Sequence, residues 1–117
     1  MTKTEVFTRV ANHLLRQKKQ CIKDGKCMYR GPNNLKCAIG ALIPDHKYKR
    51  EFERGTVSNY PKVLKAAGLT LAQQPLAMAL QRLHDDCMVW QWKDELLSIA
   101  KAFRIKLSPT LRKKLTT

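Results

Sequence analysis

Long apolar stretches are missing from this sequence. The longest uninterrupted apolar run, Cys37–Ile43, has seven residues, whereas a helix that spans a membrane needs roughly 20. The N-terminus also lacks the basic-then-apolar order of a secretory signal peptide and has the pattern of a starting helix instead. These absences favour a cytoplasmic protein with no membrane partner.

Acidic side chains are scarce. Only 9 aspartates and glutamates stand against 23 lysines and arginines in 117 residues, and the formal net charge is +14. A charge of this size attracts polyanions and acidic protein surfaces, although it does not determine a fold. We therefore expect a negatively charged partner, which is nucleic acid (DNA or RNA), an acidic protein, or both.

The positive charge is concentrated at the two ends of the sequence. Residues 1–36 hold nine basic and two acidic side chains, which gives net +7, whereas residues 104–117 hold five basic and no acidic ones, which gives net +5. If the two ends meet in the fold, they form one positive surface for phosphates. The candidate basic contacts are Arg16, Lys18, Lys19, Lys23, Lys26, Lys47, Lys49, Arg50, Arg104, Lys106, Arg112, Lys113 and Lys114.

The alternation of polar and apolar residues that marks a strand is also missing, as are internal repeats. Apolar residues recur at helical spacing instead, as Val6 and Val10 do, and the length suits one core but not two. The sequence predicts an all-α fold, a compact single-domain bundle of five to seven helices over residues 1–117. One long ordered loop is expected at about 20–34, and a basic C-terminal helix or tail at 104–117.

Two segments after the long loop are expected to be helical. Residues 35–43 (LKCAIGALI) are apolar except for one lysine, which is typical of a buried helix. Glycine inside a helix costs about 1 kcal/mol relative to alanine, so Gly40 suggests that a second helix approaches closely. Cys37 is then a small core residue. Residues 45–55, mostly charged around two aromatic residues four positions apart, predict a solvated outer helix.

Cysteine is infrequent, with 4 in the chain, and in a cytoplasm these thiols are expected to be reduced. No cofactor is expected. A structural zinc site formed by Cys27, Cys37, His84 and Cys87 is an alternative, because four nitrogen and sulfur ligands can close a tetrahedral site. However, nine residues separate Cys27 from Cys37, which is more than zinc knuckles usually have.

No convincing catalytic constellation is present, so the sequence favours a binding protein over an enzyme. One enzymatic alternative is a catalytic thiol, Cys27, with His46 or His84 as its base. Another is a hydrolase-like or nuclease-like site between the loop at 27–45 and the helix that carries His84 and Asp85, formed by Arg30, Asp45, His84 and Asp85. This alternative requires the four side chains to converge in one pocket.

Three further residues could contact a partner. Tyr29 and Arg30 precede a Gly-Pro turn and could present a ring and a guanidinium to a base or phosphate. In the structural alternative, Tyr29 packs on the core and Arg30 binds loop carbonyls or Asp45. Trp90 and Trp92 point about 200° apart on a helix, so Trp90 is expected near the surface while Trp92 is buried, unless an irregular turn buries both rings.

Three stretches together resemble small proteins encoded by bacteriophages and prophages. They are C-x-Y-R-G-P…L-K-C-A-I-G-A-L-I-P-D at 27–45, L-Q-R-L-H-D at 80–85 and W-x3-L-x2-I-A at 92–100. The resemblance covers roughly residues 27–103 and assigns no catalytic residue. It implies a bacterial cytoplasm and an accessory role in infection, in which the protein binds nucleic acid or a nucleic-acid-handling host protein, with inhibition of host defence as one form of that role.

Overall fold

Short helices form most of the fold. The computed structural model describes residues 1–55 and 60–117. Its α-helices are α1 (Lys3–Gln17), α2 (Tyr60–Ala66), α3 (Gln74–Asp86), α4 (Trp92–Ala102) and α5 (Pro109–Thr116). A two-stranded antiparallel hairpin joins β1 (Ile22–Lys23) to β2 (Lys26–Cys27). The predicted all-α single-domain bundle is confirmed.

Helix α1 begins where the sequence predicts. The Thr2 hydroxyl accepts the main-chain N–H of Glu5 at 3.1 Å, and the Glu5 carboxylate accepts that of Thr2 at 3.2 Å. This reciprocal capping satisfies N–H groups that have no partner within the helix. The helix ends at Lys18, whose backbone is left-handed with φ 55°. As a result, the chain turns away from the bundle at the start of the long loop.

The core lies where α1, α3 and α4 meet. Each helix contributes one apolar stripe, because residues three and four apart share a helical face. The fully buried side chains include Phe7 and Leu14 of α1, Leu80 of α3, and Trp92 and Leu96 of α4. Helix α5 covers the bundle through two more buried leucines. The radius of gyration is 13.5 Å, close to the roughly 13 Å expected of a compact chain of this length.

The hairpin is an element that the sequence-based prediction missed. Asp24 and Gly25 form its turn with φ of 52° and 77°, and Ile22 pairs with Cys27. Two consecutive positive φ values are typical of the two-residue turn that Asp-Gly favours. The Asp-Gly pair was therefore the local signal for this element, although each strand is only two residues long.

The prediction of a helix at 35–43 is wrong, although the segment is buried. Only Gly40–Leu42 forms a 3₁₀ turn, and the start of the segment pairs with the preceding loop. The N–H of Cys37 donates to the Tyr29 carbonyl at 3.3 Å. A Cβ on Gly40 would lie 2.0 Å from that same oxygen. The close neighbour of Gly40 is thus loop backbone and not a second helix.

The outer helix predicted at 45–55 is interrupted. Two 3₁₀ turns, Asp45–Lys47 and Arg50–Arg54, flank the extended backbone of Tyr48 and Lys49. Phe52 is nonetheless buried, and the Tyr48 ring meets it edge to face with centroids 6.1 Å apart. Among the helices of the described residues, none is long and apolar enough to cross a membrane.

Candidate nucleic-acid interface

The two basic ends of the chain meet in the fold. The Lys3 ammonium on α1 donates to the carbonyl of Phe103 at 3.0 Å, just before the C-terminal segment begins. On α5, Lys114 donates to the side-chain oxygen of Asn12 on α1 at 3.4 Å. The condition for a shared positive surface, which the sequence left open, is therefore met on this side of the bundle.

A groove of about 820 Å³ lies between α1, the start of α4 and the end of α5. Among the described residues that line it, none has an acidic side chain. Its lining comprises Asn12, Leu14, Leu15, Arg16, Lys18, Val89, Trp90, Trp92, Lys93, Lys114 and Thr117. The groove thus combines an apolar floor with four cationic side chains on its walls.

The two tryptophans have opposite roles at this groove. Trp92 is 1% exposed, its indole N–H donates to the Cys87 carbonyl at 3.3 Å, and its ring lies 5.9 Å from that of His84. Trp90 is 80% exposed because it lies in the 3₁₀ turn Val89–Gln91, just before α4. The prediction that Trp92 is buried and Trp90 lies at the surface is confirmed.

The four groove cations form no ion pair with an aspartate or glutamate side chain in the described parts of the chain. Lys93 donates to the main-chain oxygen of Thr117 at 3.2 Å, and Lys114 donates to Asn12. Helix α4 has acidic residues in its first turn, Asp94 and Glu95, but they are not part of the groove lining. The groove cations are therefore not paired with acidic side chains.

The structure brings four of the sequence-predicted contacts into one groove: Arg16, Lys18, Trp90 and Lys114. It adds Lys93, which the sequence-based prediction missed. This residue lies within 68–103, where three basic and four acidic side chains nearly balance. Its position next to Trp92 was the only local signal. The remaining basic candidates lie outside the groove lining, and these are Lys19, Lys23, Lys26, Lys47, Lys49, Arg50, Arg104, Lys106, Arg112 and Lys113.

Arg30 has a structural position inside its loop. Its guanidinium contacts the Asp45 carboxylate and the Ile43 carbonyl, each at 2.5 Å, and lies 5.0 Å from the centre of the Tyr48 ring. The Arg30 guanidinium lowers the pKa of Asp45 through this hydrogen bond and its charge. The structural alternative for Arg30, a bond to Asp45 and a loop carbonyl, is what the structure shows.

Glu53 holds the same loop from the other side. Its carboxylate accepts the main-chain N–H groups of Tyr29 at 2.9 Å and Arg30 at 3.0 Å, and the Tyr48 hydroxyl at 2.5 Å. Burial, followed by this bond to Glu53, raises the pKa of Tyr48. Tyr29 itself is half-buried against the core. Tyr29 and Arg30 are thus parts of an ordered scaffold, outside the lining of the groove.

His84 is fully buried and uses both ring nitrogens. Its Nε2 lies 2.8 Å from the main-chain nitrogen of Cys21, and its Nδ1 lies 2.7 Å from an oxygen of Asp85. A main-chain N–H can only donate, so Nε2 must accept and Nδ1 carries the proton. Neither nitrogen has a free lone pair for a substrate proton or a metal.

The enzymatic alternative groups Arg30 and Asp45 with His84 and Asp85. The structure contains these residues as two separate pairs, an ion pair of Arg30 with Asp45 and a hydrogen bond from His84 to Asp85. Within residues 1–55 and 60–117, no hydrogen bond or ion pair joins one pair to the other. Each pair has a structural partner of its own, so the geometry supplies no shared catalytic pocket.

The four predicted zinc ligands do not converge. Ligand atoms of Cys27 and His84 do lie within 4.8 Å of each other, but the third member of this cluster is Asp85. Cys37 is fully buried elsewhere, and its sulfur accepts the Gly40 N–H at 3.2 Å. Because His84 already uses both nitrogens, the cluster is a set of hydrogen-bonded side chains rather than a tetrahedral zinc site.

Cys27 also lacks the environment of a catalytic thiol. Partial burial, followed by the charge and hydrogen bond of Asp85, raises the pKa of Cys27 to about 11. A nucleophilic cysteine needs the opposite shift, because the thiolate is the reactive form. Burial and the Asp85 carboxylate therefore disfavour the thiolate that this alternative requires.

Fold and groove together define a class: a small, basic, all-α domain with a cation-lined groove beside an exposed indole. Further identification does not come from similarity. No protein-family model matches the chain, and no curated protein or solved structure matches it either.

Proposed function

We propose that this protein binds nucleic acid through the groove between α1, α4 and α5. The observation that carries the proposal is the combination of four cationic side chains with the 80% exposed indole of Trp90 in one groove. Cations attract backbone phosphates regardless of sequence, and an exposed aromatic ring offers a face to a base. The net charge of +14 supports the same proposal through long-range attraction.

The cations of the groove predict how the affinity for nucleic acid depends on salt concentration. Each phosphate that a lysine or arginine neutralises releases counterions, so the binding constant falls steeply as salt rises. One such contact contributes about 5-fold to the binding constant at about 0.1 M salt, if single strands are bound. Removing two groove cations is therefore expected to weaken binding by about 25-fold at that salt concentration.

The binding experiment compares charge variants that differ only in position. Fluorescence anisotropy with labelled DNA and RNA of mixed sequence is measured for the full chain and for two double variants. The groove variant is Lys18→Gln/Lys114→Gln, and the control is Lys62→Gln/Lys65→Gln on α2, outside the groove lining. Both variants lose the same charge, so a general effect of net charge lowers both affinities equally.

We expect the groove variant to bind about 25-fold more weakly than the wild type, and the control to lose much less affinity. Equal losses in both variants would mean that binding is diffuse and does not use the groove. The absence of any binding at low salt, together with no nucleic acid copurifying, would reject nucleic acid as the partner altogether. Far-ultraviolet circular dichroism of each variant confirms that the fold is retained.

The resemblance to phage and prophage proteins supports a biological setting for this activity. We propose an accessory role in an infected bacterial cell, where the protein occupies nucleic acid that a host factor acts on. Inhibition of host defence is one form of that role. Expression in a bacterium challenged by phage, with the groove variant as the matched control, tests it. Protection of the phage by the wild type and not by the groove variant is expected.

An acidic host protein is the second candidate partner. The observation that favours it is a run of three exposed apolar residues, Met88 (63%), Val89 (37%) and Trp90 (80%). Aromatic residues are frequent anchors of protein interfaces. Affinity capture from a bacterial lysate, with and without nuclease, separates the candidates. Nuclease-resistant capture of one acidic protein, lost with Trp90→Ala, supports this second candidate.

A further inference from the structure

We propose that the groove takes a single strand, with one unpaired base stacked on the exposed face of Trp90. This inference rests on the proposed function, since it names the form of nucleic acid that the same groove binds. It joins two independent observations. The groove walls carry cations that suit a backbone, and the groove edge carries an indole that suits an exposed base.

The position of Trp90 is well defined although its ring is exposed. The turn that carries it is closed by Gln91, whose side-chain oxygen accepts the Met88 N–H at 2.8 Å. Trp92, two residues after Trp90, is buried in the core, and its indole N–H donates to the Cys87 carbonyl. The turn is thus held at both ends, so stacking on Trp90 requires little ordering of the backbone.

An exposed aromatic ring can stack on the free base of a single strand but not on a base inside a duplex. The bases of a duplex are already stacked on one another, so their faces are not available to an indole at the protein surface. An unpaired base does have a free face, and stacking of this kind tolerates any base because every base has a π-face. Phosphate contacts alone would need the groove cations but not the indole.

Three separate elements supply the groove cations. Arg16 and Lys18 come from the end of α1, whereas Lys93 follows the Trp90 turn and Lys114 comes from α5. A backbone in the groove can contact cations of each of these elements, while one base turns toward Trp90. The apolar part of the lining, including Leu15 and Val89, suits the sugar and base rather than phosphate.

The test compares one sequence in two forms. A labelled oligonucleotide of about 16 nucleotides is used single-stranded and annealed to its complement, and both are titrated with the full-length wild type, Trp90→Ala and Trp90→Phe. The proposal expects tighter binding of the single strand. It expects Trp90→Ala to lose about 5- to 150-fold for the single strand and little for the duplex. Trp90→Phe is expected to retain most of the affinity, because a ring remains.

Intrinsic fluorescence gives an independent readout. The chain has only 2 tryptophans, and the buried Trp92 serves as an internal reference. Stacking of an unlabelled single strand on Trp90 is expected to quench the wild-type signal, whereas Trp90→Phe is expected to show no quenching on saturation. Duplex at saturating concentration is expected to quench neither protein.

The outcomes separate this inference from the proposed function. Equal affinity for both forms, with Trp90→Ala without effect, overturns the single-strand inference and leaves groove binding of nucleic acid intact. Loss of affinity in the groove-lysine variant but not in Trp90→Ala has the same meaning. Failure of the wild type to bind either form at low salt overturns both.

Discussion

The main-chain N–H of Cys21 donates to Nε2 of His84 across 2.8 Å, in a fully buried position. This bond ties the start of the hairpin to helix α3. Gln20 strengthens the connection, because its side-chain amide donates to the His84 carbonyl at 2.8 Å at the end of the same helix. The His84 ring then packs against Trp92, beneath the groove. His84 is therefore a structural link between the long loop and the groove.

His84→Ala is expected to lower the free energy of unfolding by about 3 kcal/mol, because it leaves the Cys21 N–H buried without an acceptor and opens a cavity. His84→Gln is expected to lose less, since an amide oxygen can accept that N–H. Urea unfolding of each variant measures the change. The exposed His46→Ala is the control and is expected to stay within about 0.5 kcal/mol of the wild type. Equal stability of His84→Ala and the control would contradict this role.

Glu53 and Tyr48 are expected to act together on the loop. Tyr48→Phe removes only the hydroxyl that donates to the Glu53 carboxylate, and Glu53→Gln removes the negative charge of that carboxylate. Each single variant is expected to lose about 1–3 kcal/mol of unfolding free energy. The double variant is expected to lose less than the sum, because both changes remove the same bond. A double-mutant cycle by urea unfolding measures the coupling, and strict additivity would show that the Tyr48–Glu53 bond is not formed in solution.

Gly40 is expected to tolerate no side chain. A Cβ there would lie 2.0 Å from the Tyr29 oxygen, which is main chain and cannot move aside as a flexible side chain could. We expect Gly40→Ala to lower the free energy of unfolding by more than about 3 kcal/mol, because it overpacks a tight contact. The control is Gly55→Ala, with φ of 66° but open space around it, and a loss of about 1 kcal/mol is expected there. Thermal unfolding of the two variants compares them, and similar midpoints would refute the close approach.

Cys27 is expected to react slowly although its side chain is exposed. A pKa of about 11 instead of 9.0 leaves about 100-fold less thiolate at a pH of about 8. The thiolate of a group with a higher pKa is also a better nucleophile, which recovers about 10-fold of the lost rate. The net alkylation rate by iodoacetamide is expected to be about 10-fold below that of an ordinary thiol. The rate should keep rising with pH up to about 10, because the thiol titrates above that value.

Asp85→Asn separates the causes of that pKa. The variant removes the carboxylate charge beside the sulfur and keeps an oxygen that can accept the His84 proton. Alkylation of Cys27 is expected to become several-fold faster, while the rate of Cys87 is the internal comparison. Peptide-resolved mass spectrometry measures both rates. A plateau of the Cys27 rate below a pH of about 9 in the wild type would show an ordinary thiol.

Elements whose bonds are local carry signals that lie close together in the sequence. The capping of α1 by Thr2 and Glu5, and the start of α5 at Ser108 and Pro109, both rest on contacts within four residues. The segment at 35–43 has the composition of a buried helix and is buried, yet its backbone pairs with Tyr29. Nothing within the segment encodes that partner, so helical periodicity could not reveal the outcome.

The groove was predictable in part for the same reason. Charge counting identified two basic ends, and helix geometry placed Trp90 outward, but whether the ends meet depends on how α5 packs on α4. Lys93 escaped prediction because it belongs to an acidic stretch and joins the groove only through tertiary packing. The zinc and catalytic alternatives rested on spacing, which does not reveal that His84 binds the main chain of Cys21.

The most direct test of groove binding is the salt dependence of the binding constant for single-stranded nucleic acid. Four cations line the groove, and if each neutralises one phosphate, log K against log salt has a slope of about −3. We expect a slope near −1.5 for Lys18→Gln/Lys114→Gln and an unchanged slope for Lys62→Gln/Lys65→Gln. A groove variant with the wild-type slope, or a control that loses as much slope as the groove variant, would contradict groove binding.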